Sequence, residues 1–340
     1  MKDKHKYPKV SIIIINAYLT RWLNMLLKSI EKNTKYPNYE IIIVDCCSNV
    51  QELQRLMKLY SYLPLKIVYL NKDVGPAMQH NIGAFKSSKD SKYLVFLDND
   101  VRVFPMWLTE LVKRLEEDES IGVAQPLILT HEGIYCGFKI GFGGFPRPIP
   151  YKRHTSHSQA INEIFYAQGA AFITRSDLFL KVGMFDGDYF LWYDEVDYCW
   201  RVRLAGYRIT FSTKSYVIHY GGGTTGKQNP KLWYYLIRNI ILTIFKNYEL
   251  IYAIVAFSFT LIEAMVSYIG YALLVLRDYR KALYVVRGIV RGIRDLKKAF
   301  SKKSTIKSIK VISSRNLIKH IDKIMDCELI LPLIKFMIRR

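Results

Sequence analysis

Acidic residues are scarce: 29 Asp and Glu stand against 50 Lys and Arg, a formal charge of +21. The imbalance is concentrated late in the chain, where residues 277–340 hold 18 Lys and Arg but only 5 acids. Such a block suits an anionic membrane surface or a nucleic acid. Cysteine is scarcer still. Cys46, Cys47, Cys136, Cys199 and Cys327 are an odd set with no Cys-X-X-Cys spacing, which argues against a disulfide framework and a zinc site and for a reducing compartment. No apolar leader is expected, because Met1–Lys9 is polar and runs straight into a strand pattern. Glycine is missing from Asn16–Arg21, so the first strand is not followed by the Gly-rich loop that cradles phosphates in nucleotidyl transfer. Charge is nearly absent from Leu250–Leu276, where Glu263 stands alone.

What is present is a regular alternation. Strand patterns at Val10–Ile15, Glu40–Val44, Leu65–Leu70 and Tyr93–Leu97 are separated by helical patterns at 21–33, 51–60 and 76–87. Pro105 suits the first turn of a further helix reaching about Asp118. Strands and helices of these lengths predict an α/β fold with a doubly wound, mostly parallel, Rossmann-like sheet. Beyond Ile121 the order loosens. Gly133–Pro150, rich in Gly, Pro and aromatics, reads as an irregular loop able to cover a ligand. Ala167–Thr174 reads as a strand and Glu195–Ala205 as a helix closed by Gly206.

The apolar run Leu250–Leu276 is long enough to cross a bilayer, for which about 20 residues suffice. A lone Glu263 inside it would cost about 2.5–3.5 kcal/mol unless paired; the alternative is a helical hairpin on the membrane or against the domain. The basic segment after it favours the cytoplasmic face. Two regions are therefore expected: 1–230 as the α/β catalytic domain, and 231–340 as a helical, first apolar and then basic, membrane-associated region.

Chemistry gathers at strand ends. Tyr93–Leu97 runs into Asp98-Asn99-Asp100, and an apolar strand of this kind must be covered on both faces. Its acidic end then lies at the carboxyl rim of the sheet, where open α/β sheets place ligands. Two carboxylates held there repel unless a cation separates them, and oxygen ligands favour Mg2+ or Mn2+. Asp45 ends the second strand and Asp73 follows the third. Asp194-Glu195-Val196-Asp197 opens a helix after Tyr189–Tyr193, and His219 precedes Tyr220-Gly221-Gly222-Gly223-Thr224. Each has a bland reading: turn or helix caps for Asp45, Asp73 and Asn81, dipole-favoured acids for Asp194–Asp197, a buried satisfied ring for His219, and core aromatics for Trp192 and Tyr193.

The ordered set, from Ser11–Asn16 through Tyr39–Asp45 with Ser48, Gly75-Pro76-Ala77…Asn81-Ile82-Gly83, Leu97–Asp100, Val182–Asp186, Trp192–Arg201, Ala205-Gly206-Tyr207 and His219–Thr224 to Arg238-Asn239, resembles the family 2 glycosyltransferases with a GT-A fold. The similarity covers roughly Lys9 to Asn247 and is nearest to the branch that adds rhamnose, galactofuranose and related sugars to lipid-linked or surface glycans. It implies an inverting, metal-dependent transfer from a nucleotide-diphosphate sugar to a membrane-associated, polyprenyl-linked glycan at the cytoplasmic side of the cell membrane. The resemblance assigns Asn16, Asp45, Asp73, Asn81 and Asp98 to the donor, and Asp100, Asp98 and His219 to the cation. It makes Glu195 or Asp194 the base and Trp192 and Tyr193 an acceptor platform. Asp45-Cys46-Cys47-Ser48 departs from the usual Asp-Asn-X-Ser, and Ile15-Asn16-Ala17-Tyr18 from the usual sequence after strand one, so donor identity does not carry over. The alternatives are a nucleotidyltransferase of related fold and a basic nucleic-acid-binding protein; the second lacks groove-reading motifs, and its basic block follows an apolar run. No nucleic-acid partner is expected.

Overall fold

In the computed structural model, residues 6–18, 20–151, 163–221 and 229–321 are described. The chain forms two compact units, Met1–Phe138 with Pro148–Phe190 and Asp194–Lys227, and Lys139–Arg147 with Leu191–Tyr193 and Gln228–Arg340.

The first unit begins with the expected alternation: β1 (Val10–Ala17), α1 (Thr20–Asn33), β2 (Tyr39–Cys46), α2 (Val50–Leu59), β3 (Leu65–Leu70), α3 (Pro76–Lys86) and β4 (Tyr93–Asp98). These four strands are parallel, in the order β3-β2-β1-β4. Period-two alternation sends the two faces of β1 into different layers. Ile12 and Ile14 join a core with Leu23, Leu26, Leu27 and Ile30 of α1. Ile13 faces α3, where a Cβ on Gly83 would lie 2.3 Å from its Cγ2, so glycine lets helix and strand touch. β3 is half exposed, as befits a sheet edge, whereas every residue of β4 before Asp98 is buried.

After β4 come β5 (Val101–Val103), α4 (Trp107–Glu116), β6 (Ile121–Leu129), β7 (Ile134–Ile140), β8 (Pro146–Pro150), β9 (Ala171–Arg175), α5 (Ser176–Lys181), α6 (Asp194–Leu204) and β10 (Arg208–His219). The sheet continues β4-β9-β6-β10-β5, with β9 antiparallel to both neighbours and β5 antiparallel to β10. It is therefore mixed, and its parallel character is confined largely to the first half. β7 and β8 form a hairpin on β6, so Gly133–Pro150 is ordered structure and not the irregular loop its composition suggests. On the face opposite α1, Phe96, Phe172, Phe179, Phe185 and Tyr198 pack ring against ring, tilted or edge to face.

The second unit holds α7 (Lys231–Asn247), α8 (Leu250–Glu263), its π-helical continuation Ala264–Val275, α9 (Tyr279–Arg294) and the short helices α10 (Leu296–Ser301), α11 (Lys303–Ile309) and α12 (Ser314–Leu317). Glu263 is paired: Arg147 Nη2 donates to its Oε1 at 2.8 Å, with both groups buried. The first and third stretches of this unit are tied together by a similar contact. Thr260 Oγ1 donates to the Gly143 carbonyl, and a Cβ on Gly143 would crowd Thr260 N at 3.0 Å.

Candidate active site

The carboxyl rim of β1, β2 and β4 carries a connected set of polar side chains. Asn16, at the end of β1, lies opposite Asp45 in the parallel register. Its Nδ2 donates to Asp45 Oδ2 at 2.5 Å and to Ser48 Oγ at 3.1 Å. Asp45 is fully buried and also accepts from Ser48 N and Oγ. Asn99 closes the chain, its Nδ2 donating to Asn16 Oδ1 at 2.6 Å. The middle residue of Asp-X-Asp thus links the two strand tips, a role no spacing in the sequence announced. Asp73 is exposed and accepts from Gly75 N at 2.9 Å. Its charge raises the Tyr18 phenol, which stands above the same rim at φ 63°. Asn81 lies on α3. Its amide donates to Phe185 O and accepts from Phe185 N, clamping α3 to the segment before α6.

A second cluster forms beside the first. β5 runs antiparallel to β10 with His219 opposite Val101, which carries the imidazole from more than a hundred residues away to Asp100. His219 Nε2 lies 3.3 Å from Asp100 Oδ1, and Tyr220 N donates to the Asp100 carbonyl. Ligand atoms of Asp98, Asp100 and His219 all fall within 4.8 Å of one another. Burial pushes the Asp98 carboxyl up to about 7, the Asp100 and Glu195 charges adding to it and His219 opposing. Gln168 completes the surroundings. Its Nε2 approaches His219 Nδ1 at 3.4 Å, and its backbone N–H donates to the buried Gln125 Oε1. Gln168 carried no signal in the sequence, because an amide in a loop before a strand has no periodicity to read. The glycines after Gly221 lie outside the described residues.

Asp194 and Glu195 open α6, where the helix dipole favours acids. Asp194 is buried and its carboxyl is held well above the usual carboxylate range, by burial first and then by the Glu195 charge, with Asp98 adding to the effect. Glu195 is half-buried, and a Cβ on Gly169 would lie 3.4 Å from its Cδ. The structure thus brings Asp98, Asp100, His219, Asp194 and Glu195 into one electrostatically linked group. Asp197 stands apart: it pairs with Arg201, whose guanidinium also donates to the Val182 and Met184 carbonyls, which is scaffolding. In the second unit Trp192 is 41% exposed, whereas Tyr193 is buried with its hydroxyl donating to the Gly144 carbonyl.

Residues 11–179 match the family model described as "Glycosyl transferase family 2". The chain belongs to glycosyltransferase family 2. Among curated relatives, it is 22% identical over 293 residues to dTDP-rhamnosyl transferase RfbF of Shigella flexneri, spanning 81% of this chain and 91% of that one. It is 27% identical over 226 residues to the O-antigen biosynthesis protein RfbC of Myxococcus xanthus, a match spanning 63% of this chain but 17% of that much longer protein. Solved structures of similar fold include GalNAc-T7 with UDP, GalNAc and Mn2+ (TM-score 0.65, 16% identity, 93% of this chain and 57% of that). They also include the mannosyltransferase PcManGT of Pyrobaculum calidifontis in complex with GDP-Man and Mn2+ (TM-score 0.53, 14% identity, 90% and 87%). At these identities the structures speak to the fold, which is the GT-A arrangement of the glycosyltransferases. The family match ends within α5, so Asp194, Glu195 and His219 lie beyond it and stand on the geometry above.

Proposed function

We propose that this glycosyltransferase moves a sugar, with inversion, from a nucleotide-diphosphate donor to a glycan acceptor carried on a lipid at the cytoplasmic membrane surface. The observation that carries the reading is the convergence of Asp98, Asp100 and His219 with Asp194 and Glu195 at the end of β4. Asn16, Asp45 and Asp73 form the rim on which the nucleoside would rest. Of the nucleotides, dTDP is the first to test, because the relative aligned over nearly its whole length is named for dTDP-rhamnose transfer.

The residues present fit a divalent cation. Two carboxylates that resist being charged together, with one imidazole within 4.8 Å, form a site that a cation relieves. The nitrogen in the set favours Mn2+ over Mg2+. Asp98, Asp100 and His219 would hold it, and it would neutralise charge developing on the leaving diphosphate. Gln168 fixes the imidazole from its other side.

Transfer with inversion needs a base on the face opposite the leaving group, within hydrogen-bond reach of the acceptor hydroxyl. Glu195 fits better than Asp194. Asp194 is buried and its carboxyl is held above the usual carboxylate range by burial and by the Glu195 charge, which disfavours it as a base, while Glu195 is the more accessible carboxylate. Trp192, with an exposed ring, is the better candidate for stacking on the acceptor sugar; Tyr193 is committed to packing.

The test is transfer from a panel of UDP-, dTDP- and GDP-sugars with and without Mn2+, using wild type, Asp100→Ala and Glu195→Gln. Both variants should lose transfer by at least a hundredfold, in line with the contribution of about 10²–10⁴ from a positioned base. Only Asp100→Ala should also weaken Mn2+-dependent binding of the nucleotide. Turnover within a few-fold of wild type in either variant would remove that residue from its assigned role.

A further inference from the structure

The helix Leu250–Val275 is long and apolar enough to cross a membrane, yet its side chains are arranged the wrong way round for a helix packed in a water-soluble core. The residues it buries are small or polar: Ala253, Ala256, Thr260, Glu263, Ala264, Ser267 and Ala272. Those it turns outward are large and apolar, among them Ile251 at 66% exposed, Ile254, Ile262, Met265 at 62%, Leu273 and Leu274. A third of its most apolar window is buried, which excludes a core helix.

The buried stripe is also locked. Glu263, at the helix midpoint, is held by the buried Arg147, and Thr260 by the Gly143 carbonyl. A helix spanning alone would carry Glu263 to the bilayer centre without its partner, and one that kept it would draw Arg147 and residues 139–147 in as well. The inward stripe therefore stays on the second unit, and only the outward face is free to meet lipid.

α9 repeats the pattern with charge added. Ala282, Val285, Gly288 and Gly292 form its buried side, and the two glycines let it sit against α7, where a Cβ would meet Tyr234 O and Ile241 Cδ1 at 2.8 Å. Leu283, Val286, Val290 and Ile293, spaced three and four apart, form an exposed apolar row. Arg280, Arg287, Arg291 and Arg294 fall on the adjoining side of the same helix. Residues 277–321 hold 14 Lys and Arg against Asp278 and Asp295 only. Of these acids, Asp278 caps α9 and Asp295 pairs with Arg238 and Arg291.

An apolar row edged by arginines is the pattern of a helix lying in a membrane interface. A second copy of the chain would meet the same excess of positive charge, whereas anionic phospholipid headgroups complement it. We infer that the second unit docks on an anionic bilayer through the outward faces of Leu250–Val275 and α9, both lying in the plane of the interface, and that Leu250–Val275 does not span. This deepens the membrane-surface setting proposed above and does not depend on the chemistry at the sheet rim.

The test uses the full chain and two readouts. In flotation with phosphatidylcholine vesicles containing or lacking phosphatidylglycerol, the chain should float with the anionic vesicles, and raised salt should release a large part of it. Ile254→Glu with Ile262→Glu, and separately Val286→Glu with Val290→Glu, should each cut flotation at least tenfold with unchanged circular dichroism. On membranes, Leu250→Cys and Leu276→Cys should both react with an impermeant maleimide from the side to which the protein was added, above the background of the unsubstituted chain. Protection of one end only would mean a span and overturn the inference. Failure to float, with concentration-dependent self-association in the ultracentrifuge, would make the face a copy-to-copy interface and overturn it too. Donor-sugar hydrolysis measured without lipid reports the rim chemistry separately, so loss of docking with hydrolysis intact leaves the transferase reading standing.

Discussion

His80, on α3, sits fully buried between Phe96 and Phe185, with ring centroids at 5.0 and 5.3 Å. Neither ring nitrogen has a hydrogen-bond partner among the described residues. Burial lowers its pKa from 6.5 to about 3, because a charged imidazole among aromatics has lost its water and gained nothing. The folded state keeps the ring neutral while the unfolded chain takes up a proton. The ring's contribution to stability is therefore intact above about pH 6.5 and erodes by about 1.4 kcal/mol per pH unit as pH falls from there toward about 3. His80→Leu should remove this dependence, so the urea midpoint of the wild type should fall more than that of the variant as pH is lowered from 7 to 5. Parallel curves over that range would show that His80 is not buried neutral. Position 80 gave no such sign in the sequence, whereas Asp98 and Asp100 were readable because a buried strand ending in two acids has few bland explanations. Asn99 and Gln168 were not readable, since amides advertise neither charge nor period.

At the scale of elements, the first four strands were legible because each is a short run rich in apolar residues, and one helix separates each from the next. Their observed bounds, such as Tyr93–Asp98 and Leu65–Leu70, lie within a few residues of the pattern. Beyond them less was legible, for a definite reason. β5 is three residues long, too short to show a pattern. β9 falls within the strand read at Ala167–Thr174, but its partners, β4 and β6, lie at long range and in the opposite sense, so local periodicity cannot reveal its direction. The helix–strand contact that sets the rim is testable at Gly83. An alanine there would place Cβ at 2.3 Å from Ile13 Cγ2 and 3.2 Å from Val44 Cγ2, and both are sheet residues without freedom to retreat. Gly83→Ala should cost about 1–3 kcal/mol, the usual range for overpacking. Ile13→Ala removes the clashing methyl, so the double variant should be more stable than the sum of the two single effects by at least about 0.5 kcal/mol. Strict additivity in urea unfolding would mean that α3 shifts away from the sheet to relieve the clash.

For the whole molecule, the sequence changes character near residue 230, and the chain forms two compact units. The second unit includes 139–147 and 191–193 as well as the C-terminal helices, and its internal contacts depend on all three stretches. Asn239 is fully buried, and its Nδ2 donates to the carbonyls of Leu191 and Trp192 at 2.9 and 2.8 Å. Those bonds hold Trp192 and Tyr193 at φ 62° and 76°, a backbone region that costs non-glycine residues on the order of 1–2 kcal/mol each. They stand directly before Asp194 in the chain. A protein cut after Pro230 would keep both early stretches and lose their partners in the helices, among them Glu263 for Arg147, Thr260 for Gly143, and Asn239 for Leu191 and Trp192. The helices also bury apolar side chains of the early stretches, so their loss removes packing as well as hydrogen bonds. The fragment 1–230 should therefore melt well below the full chain, with fast amide exchange at 139–147 and 191–193 even where β1–β4 remain protected. Relaxation of the left-handed pair would leave Asp194 and Glu195 without a fixed approach, so on the roles proposed above donor hydrolysis should fall while nucleotide binding, proposed at Asn16 and Asp45, survives. A fragment with native-like exchange in both stretches and undiminished hydrolysis would make the helices an independent appendage, and Asn239 a residue that merely packs.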